Sequence, residues 1–243
     1  MKILLVFLTS LFFASNALSA TAEEDVERYV RIFNGDASQH SDAADTFVWA
    51  GQSDIRIFDV IEKRLLADAE AGRNDKKEKS RVVRYVRALG FSGQSKYLPT
   101  IKQFAADNDY ERYAKAALVD LPQYHKWNLI IANRATFNPK LSDDANRVTN
   151  MLRADDFLLK RVGAKRVYYK NQEPEVLEVL AKELRASYAT ATPTTADAVA
   201  WMVKALGQAR IEKYKPLIEE VIANAKEPAV LKHANAALEK YGK

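Results

Sequence analysis

The chain has no cysteine among its 243 residues. That excludes a disulfide framework, a thiol nucleophile, cysteine-held metal sites and a lipid-bearing N-terminal cysteine. Histidine is nearly as scarce. His40, His125 and His233 lie far apart, and none has the i+4 histidine or carboxylate partner that a metal motif needs. The sequence therefore predicts no metal, no cofactor and no catalytic residues. No Gly-x-Ser-x-Gly elbow occurs. Gly90 to Lys96 lacks the Gly-Lys-Ser/Thr ending of a phosphate loop and has no strand before it. Sustained period-two alternation bounded by hairpin turns is also missing, so no sheet is expected. Beyond the N-terminus no stretch approaches 18 apolar residues, so no transmembrane span is expected in the rest of the chain.

The N-terminus reads as a secretory signal, residues 1–22. Lys2 supplies the positive charge, Ile3 to Phe13 the short apolar run, and Ala17 to Ala22 the small residues, with cleavage after Ala20 or Ala22. An exported chain without disulfides or lipid reads as a soluble periplasmic or secreted bacterial protein.

The formal net charge is +5. The excess is local. Arg73, Lys76, Lys77, Lys79, Arg81, Arg84 and Arg87 stand against Asp75 and Glu78. A solvated loop and helix face is the plain reading. An anion-facing patch for an acidic protein, or weak contact with an anionic membrane surface, is the sharper one. The export signal and the lack of a broad basic surface speak against nucleic acid.

Apolar residues recur at helical spacing almost throughout, as in Ile57, Phe58, Ile61 and Leu65, or Val82, Val86 and Leu89. The pattern then repeats. Val86-Arg87-Ala88-Leu89-Gly90 returns as Val203-Lys204-Ala205-Leu206-Gly207. Lys96-Tyr97-Leu98-Pro99 returns as Lys213-Tyr214-Lys215-Pro216. Ala114-Lys115-Ala116-Ala117-Leu118 returns as Ala234-Asn235-Ala236-Ala237-Leu238. A shift that barely drifts along the chain predicts an all-α solenoid of stacked helical pairs, built from two tandem copies of about six helices. The copies span 23–121 and 143–243, with a connector at 122–142. Pro99, Pro174, Pro216 and Pro228 are expected in first helical turns. Gly90 and Gly207 are expected to stop their helices, and Asp109 and Thr195 to cap theirs.

The run Val86 to Gly90, then Tyr97 to Ala106, then Asp107-Asn108-Asp109, then Arg112 and Ala114 to Leu118 resembles the HEAT-like repeats. It is closest in form to the short type related to phycobilisome lyases. The second copy matches less well, with Ala225-Lys226-Glu227 at the turn and Lys232 in place of Arg112. The resemblance implies the solenoid fold and a habit of protein binding, not an activity. It also implies that the second helix of each pair lines the inner surface. That would put Lys96, Lys102, Lys213 and Lys215 on or beside that face, with Glu62, Lys63, Glu178 and Lys182 on earlier layers.

The connector contains His125, Trp127, an expected short helix Lys126 to Ala135, and Phe137. Trp127, Ile130 and Ile131 either plug the seam between copies or form a binding element. The reading is of an exported, non-enzymatic scaffold that binds a protein partner, with Lys76, Lys77, Lys79, Lys96, Lys102, Trp127, Lys213 and Lys215 as candidate contacts. The alternatives are a carbohydrate- or envelope-binding module that uses its tyrosines, and an enzyme with a site of dispersed carboxylates.

Overall fold

The computed structural model describes residues 21–241. The expected signal segment lies outside the described residues, apart from Thr21 and Ala22. Among the described residues there are twelve α-helices and no strand. They are α1 (Ala22–Asn34), α2 (His40–Ala50), α3 (Ile55–Asn74), α4 (Lys76–Phe91), α5 (Leu98–Ala105) and α6 (Glu111–Ile131), then α7 (Asp143–Arg153), α8 (Phe157–Tyr169), α9 (Pro174–Ser187), α10 (Ala196–Ala209), α11 (Lys215–Asn224) and α12 (Pro228–Leu238). None is long and apolar enough to cross a membrane.

Side-chain chemistry sets most helix starts. Thr21 and Glu24 close a capping box on α1. Asp54, Asp75, Ser142 and Asp156 accept backbone N–H groups at the starts of α3, α4, α7 and α8. Pro99, Pro174, Pro216 and Pro228 occupy first turns as expected. Asp109 and Thr195 do not cap. Asp109 turns to Lys79 at 2.6 Å, and the Thr195 hydroxyl takes the N–H of Thr192 at 2.9 Å.

The two conserved-spacing glycines also act differently from the expectation. Neither Gly90 nor Gly207 ends its helix. The left-handed residues fall later, at Gly93 (φ 67°) and Arg210 (φ 53°). A Cβ on Gly90 would lie 2.8 Å from the Ala117 Cα, and one on Gly207 2.5 Å from the Ala237 Cβ. Both glycines are points where two helices touch backbone to backbone. The matched contacts, α4 on α6 and α10 on α12, recur in the two halves. So do the outer ones. Tyr97 donates to Asp59, which also binds Lys96, and Tyr214 donates to Glu178, which also binds Lys213.

The helices form two layers. Odd-numbered helices pack on one another, α1 on α3 and α7 on α9. Even-numbered helices form the second layer in the spatial order α6, α4, α2, α8, α10, α12. The second half thus stacks on α2, near the beginning of the first half, with the last part of α6 beside the join. Helix α6 makes this possible by its length. Pro122 lies inside it, and the separate helix expected at 126–135 is instead, as far as Ile131, the last part of α6, with a short 3-10 turn at Arg134–Thr136 beyond it. That part runs beneath the ends of α2 and α4. The Tyr124 hydroxyl donates to the Val48 carbonyl at 2.9 Å, and the Asn128 amide to those of Gln52 and Phe91 at 3.1 and 2.9 Å. Across the seam, buried Asp25 of α1 meets Arg147 of α7, with Arg28 at 3.0 Å and Arg134 at 3.6 Å beside it.

Candidate functional site

The seam between halves leaves a cleft of about 530 Å³. One wall is Trp49 of α2, Arg87 of α4, and Asp120, Tyr124 and Trp127 of α6. The facing wall is α8, with Arg161, Lys165, Arg166, Tyr169 and Lys170. A shallower groove of about 590 Å³ continues from it between α2 and α4, sharing Val48, Arg87 and Phe91.

Helical spacing explains the α8 wall. Arg161, Lys165 and Tyr169 stand at successive i+4 positions and so share one stripe. The opposite stripe, with Leu159, Gly163 and Val167, is buried. Arg166 bridges the walls by stacking its guanidinium 4.2 Å from the Trp49 ring centre while pairing with Asp144 at 3.1 Å.

Cations dominate the cleft. Arg87 pairs with Asp120 at 2.6 Å and Arg161 with Asp197 at 2.9 Å. Burial raises the Asp120 carboxyl above its usual range, and Arg87 opposes that rise. The Arg87 and Arg161 Nε atoms are buried without a hydrogen-bond partner. Burial and the Arg161 charge hold the Lys165 ammonium below its ordinary pKa. The arrangement suits a ligand that brings negative charge and flat or extended apolar surface.

The candidate residues separate on this frame. Trp127 is 6% exposed and its indole N–H donates to Asp156 of α8 at 2.8 Å. It fastens α6 to the start of α8 from within the cleft wall and is not an exposed anchor. Ile131 is fully buried beside it, whereas Ile130 is 37% exposed. Lys76 and Lys79 line the shallower groove and Lys77 is exposed next to them. Most of the basic segment is neutralised through space: Arg73 by Glu70 and Asp107, Lys79 by Asp109, Arg81 by Asp68, Arg84 by Asp45 and Arg87 by Asp120. Lys96, Lys102, Lys213 and Lys215 sit on or just before α5 and α11, in the odd-numbered layer. The cleft and groove are lined from the even-numbered layer, so none of these four lysines lines either of them. The α8 cations were missed because no repeat or charge run marks them. Only their i+4 spacing could have drawn notice.

His40 is a core histidine. Its Nε2–H donates to the Ile32 carbonyl at 2.9 Å, so Nδ1 accepts from the Tyr85 hydroxyl at 2.5 Å. Among the described residues no group of three or more acidic or histidine side chains is arranged to hold a metal.

No protein-family model matches the chain. No curated protein matches it either. A solved structure that does match is human deoxyhypusine hydroxylase in complex with glycerol, at 14% identity and a TM-score of 0.38, covering 90% of this chain and 85% of that one. The expectation of a non-enzymatic protein is corrected by this match. The matched protein is an enzyme, so a helical repeat is no ground for excluding catalysis.

Proposed function

We propose that this chain is an exported, HEAT-like scaffold of the bacterial cell envelope, and that its seam cleft holds an acidic segment of a protein partner. The repeat form is taken as that of the short phycobilisome-lyase type, and the two halves as tandem copies, 23–121 and 143–243, with 122–142 as a structural joint. The observation that carries the binding reading is the excess of positive charge in the cleft. Of its five cations, Arg87, Arg161 and Arg166 pair with Asp120, Asp197 and Asp144, while Lys165 and Lys170 have no carboxylate in salt-bridge contact among the described residues, between walls that include Trp49 and Tyr169. Aromatic and arginine side chains in a recess are what protein interfaces use as anchors. Cleavage after Ala20 fits the export reading better than cleavage after Ala22, because it leaves the Thr21–Glu24 capping box intact.

A carbohydrate-binding reading draws on Tyr168, Tyr169 and Trp201, which cluster with ring centres 4.8 to 6.3 Å apart. It is disfavoured because the Lys204 ammonium already sits 3.4 Å from the Trp201 ring centre, over the face a sugar would use.

The test is a titration of fluorescein-labelled acidic and neutral peptides of equal length into the protein. The acidic peptide should bind more tightly, its affinity should fall as salt rises, and Arg161→Glu with Lys170→Glu should weaken it. Equal binding of both peptides, or binding that ignores salt, would remove the reading.

A further inference from the structure

The repeat supplies an internal comparison at the far side of the cleft. By the repeat register, Arg87 corresponds to Lys204 and Asp120 to Lys240. The register holds in space, because α4 touches α6 at Gly90 and Ala117 just as α10 touches α12 at Gly207 and Ala237. In the first half the two positions form an ion pair at 2.6 Å. In the second half both are lysines. The neighbouring pair is lost as well. Arg84 binds Asp45 in the first half, but the matching positions are Trp201 and Ala164.

The second half therefore carries a cation cluster with its carboxylates removed. The Lys204 and Lys240 ammonium groups each lie 5.6 Å from the Tyr168 ring centre. Lys204 also lies over Trp201, with Lys165 4.9 Å from the same ring centre on the cleft side. All three lysines are half-buried. Among the described residues none of the three has a carboxylate in salt-bridge contact, and Lys240 bonds only the Gln208 amide oxygen, at 2.8 Å. Asp197, which acts on Lys165 and His233, is bound to Arg161. Burial together with Arg210 and Lys204 lowers the Lys240 ammonium's pKa, and burial with Lys204 and Lys232 lowers that of His233. Both ammonium groups contact the Tyr168 ring and Lys204 acts on Lys240, so an incoming anion gains from relieving that repulsion.

We propose that Lys204 and Lys240, over Tyr168 and Trp201, form a carboxylate-binding subsite for an aspartate or glutamate side chain of the acidic partner segment. The incoming carboxylate takes the place that Asp120 fills in the first half. The inference rests on the acidic-segment reading of the seam cleft and names where one anionic group of that segment is held. Lys165 lines the cleft and overhangs Trp201, so a segment in the cleft reaches the subsite by running along α8.

The internal comparison also supplies the test. Lys240→Asp rebuilds the first half's ion pair with Lys204 and so fills the subsite from within. Full-length protein is titrated with acetylated, amidated hexaglutamate at low salt. Lys240→Asp and Lys204→Ala should each weaken binding about tenfold or more. Lys240→Asp should keep or raise the thermal midpoint, which separates loss of the site from loss of the fold. Lys140→Asp makes the same charge change on an exposed loop and should alter affinity less than about twofold. Binding that survives Lys240→Asp while Arg161→Glu weakens it would overturn the subsite and leave the cleft reading standing. Wild-type protein that binds no hexaglutamate would end both. Inorganic phosphate or oligogalacturonate displacing the peptide as well as free glutamate peptide does would overturn the assignment to a protein carboxylate.

Discussion

Trp127→Ala should destabilise the protein by about 3 kcal/mol. Truncation of a buried tryptophan costs roughly 3–5 kcal/mol when the surroundings cannot collapse. Trp127 is 6% exposed and its ring lies 5.1 Å from that of Tyr124, so nearly all of its surface is at stake. It also lines the cleft, which lets water enter the vacated space and holds the cost at the lower end. The lost indole bond adds little, since the other Asp156 oxygen still caps α8 through the Leu158 and Leu159 N–H groups at 2.8 and 3.2 Å. Trp127→Phe keeps the ring contact and loses the N–H donor, and should cost about 1–2 kcal/mol. Asp156→Asn preserves a capping oxygen and should cost less than about 1 kcal/mol. The assay is urea unfolding followed by far-ultraviolet circular dichroism. Because Trp127 joins the two halves, its loss should also lower the apparent m-value as they begin to unfold separately. A Trp127→Ala protein within about 1 kcal/mol of wild type, with an unchanged m-value, would refute the idea that this side chain fastens the seam.

Other outcomes follow from the same geometry. Gly90→Ala and Gly207→Ala should each destabilise by about 1–2 kcal/mol, because overpacking at the contact exceeds the helix-propensity gain of about 0.5–1 kcal/mol; a raised melting temperature in either would show that the close approach relaxes freely. Burial lowers the His40 pKa, with Arg64 and Arg81 adding to the effect. The unfolded chain therefore takes the proton first, so stability is full above about pH 6.5 and falls as pH drops below that value toward the lower folded pKa. His40→Gln should flatten that slope in melts taken from pH 7 to 5, and an unaltered slope would assign it elsewhere. Replacing Lys76, Lys77 and Lys79 with glutamine should shift stability by no more than about 1 kcal/mol, since only Lys79 loses a partner and that pair is partly exposed. A larger loss on calorimetry would mean the Lys79–Asp109 bond organises the turn before α6.

The fold was legible because its signals are local or periodic. Apolar spacing, first-turn prolines and a repeated Ala-Leu-Gly junction each report on a helix or on the helix that follows it. The site was less legible because charge compensation crosses helices. The segment 73–87 looks basic in line, yet its arginines meet Asp45, Asp68, Asp107 and Asp120, which the sequence places up to 39 residues away. The second half shows no comparable run, yet Lys165 of α8, Lys204 of α10 and Lys240 just after α12 gather around Tyr168 and Trp201, and among the described residues none of them has a carboxylate in salt-bridge contact. Gly90 and Gly207 show the same limit in the backbone. Their recurrence was readable, but whether they turn the chain or admit a neighbour depends on a partner about 30 residues downstream.

The order of the even-numbered layer has a consequence for assembly. Helix α2 and its counterpart α8 meet each other, so the join between halves is like against like, the relation found in closed two-fold dimers. A join through α6 alone would have left the same docking pair exposed at both termini, an arrangement that propagates. Here α2 meets its counterpart, and the last part of α6 turns back into the same seam, where Trp127 meets Asp156.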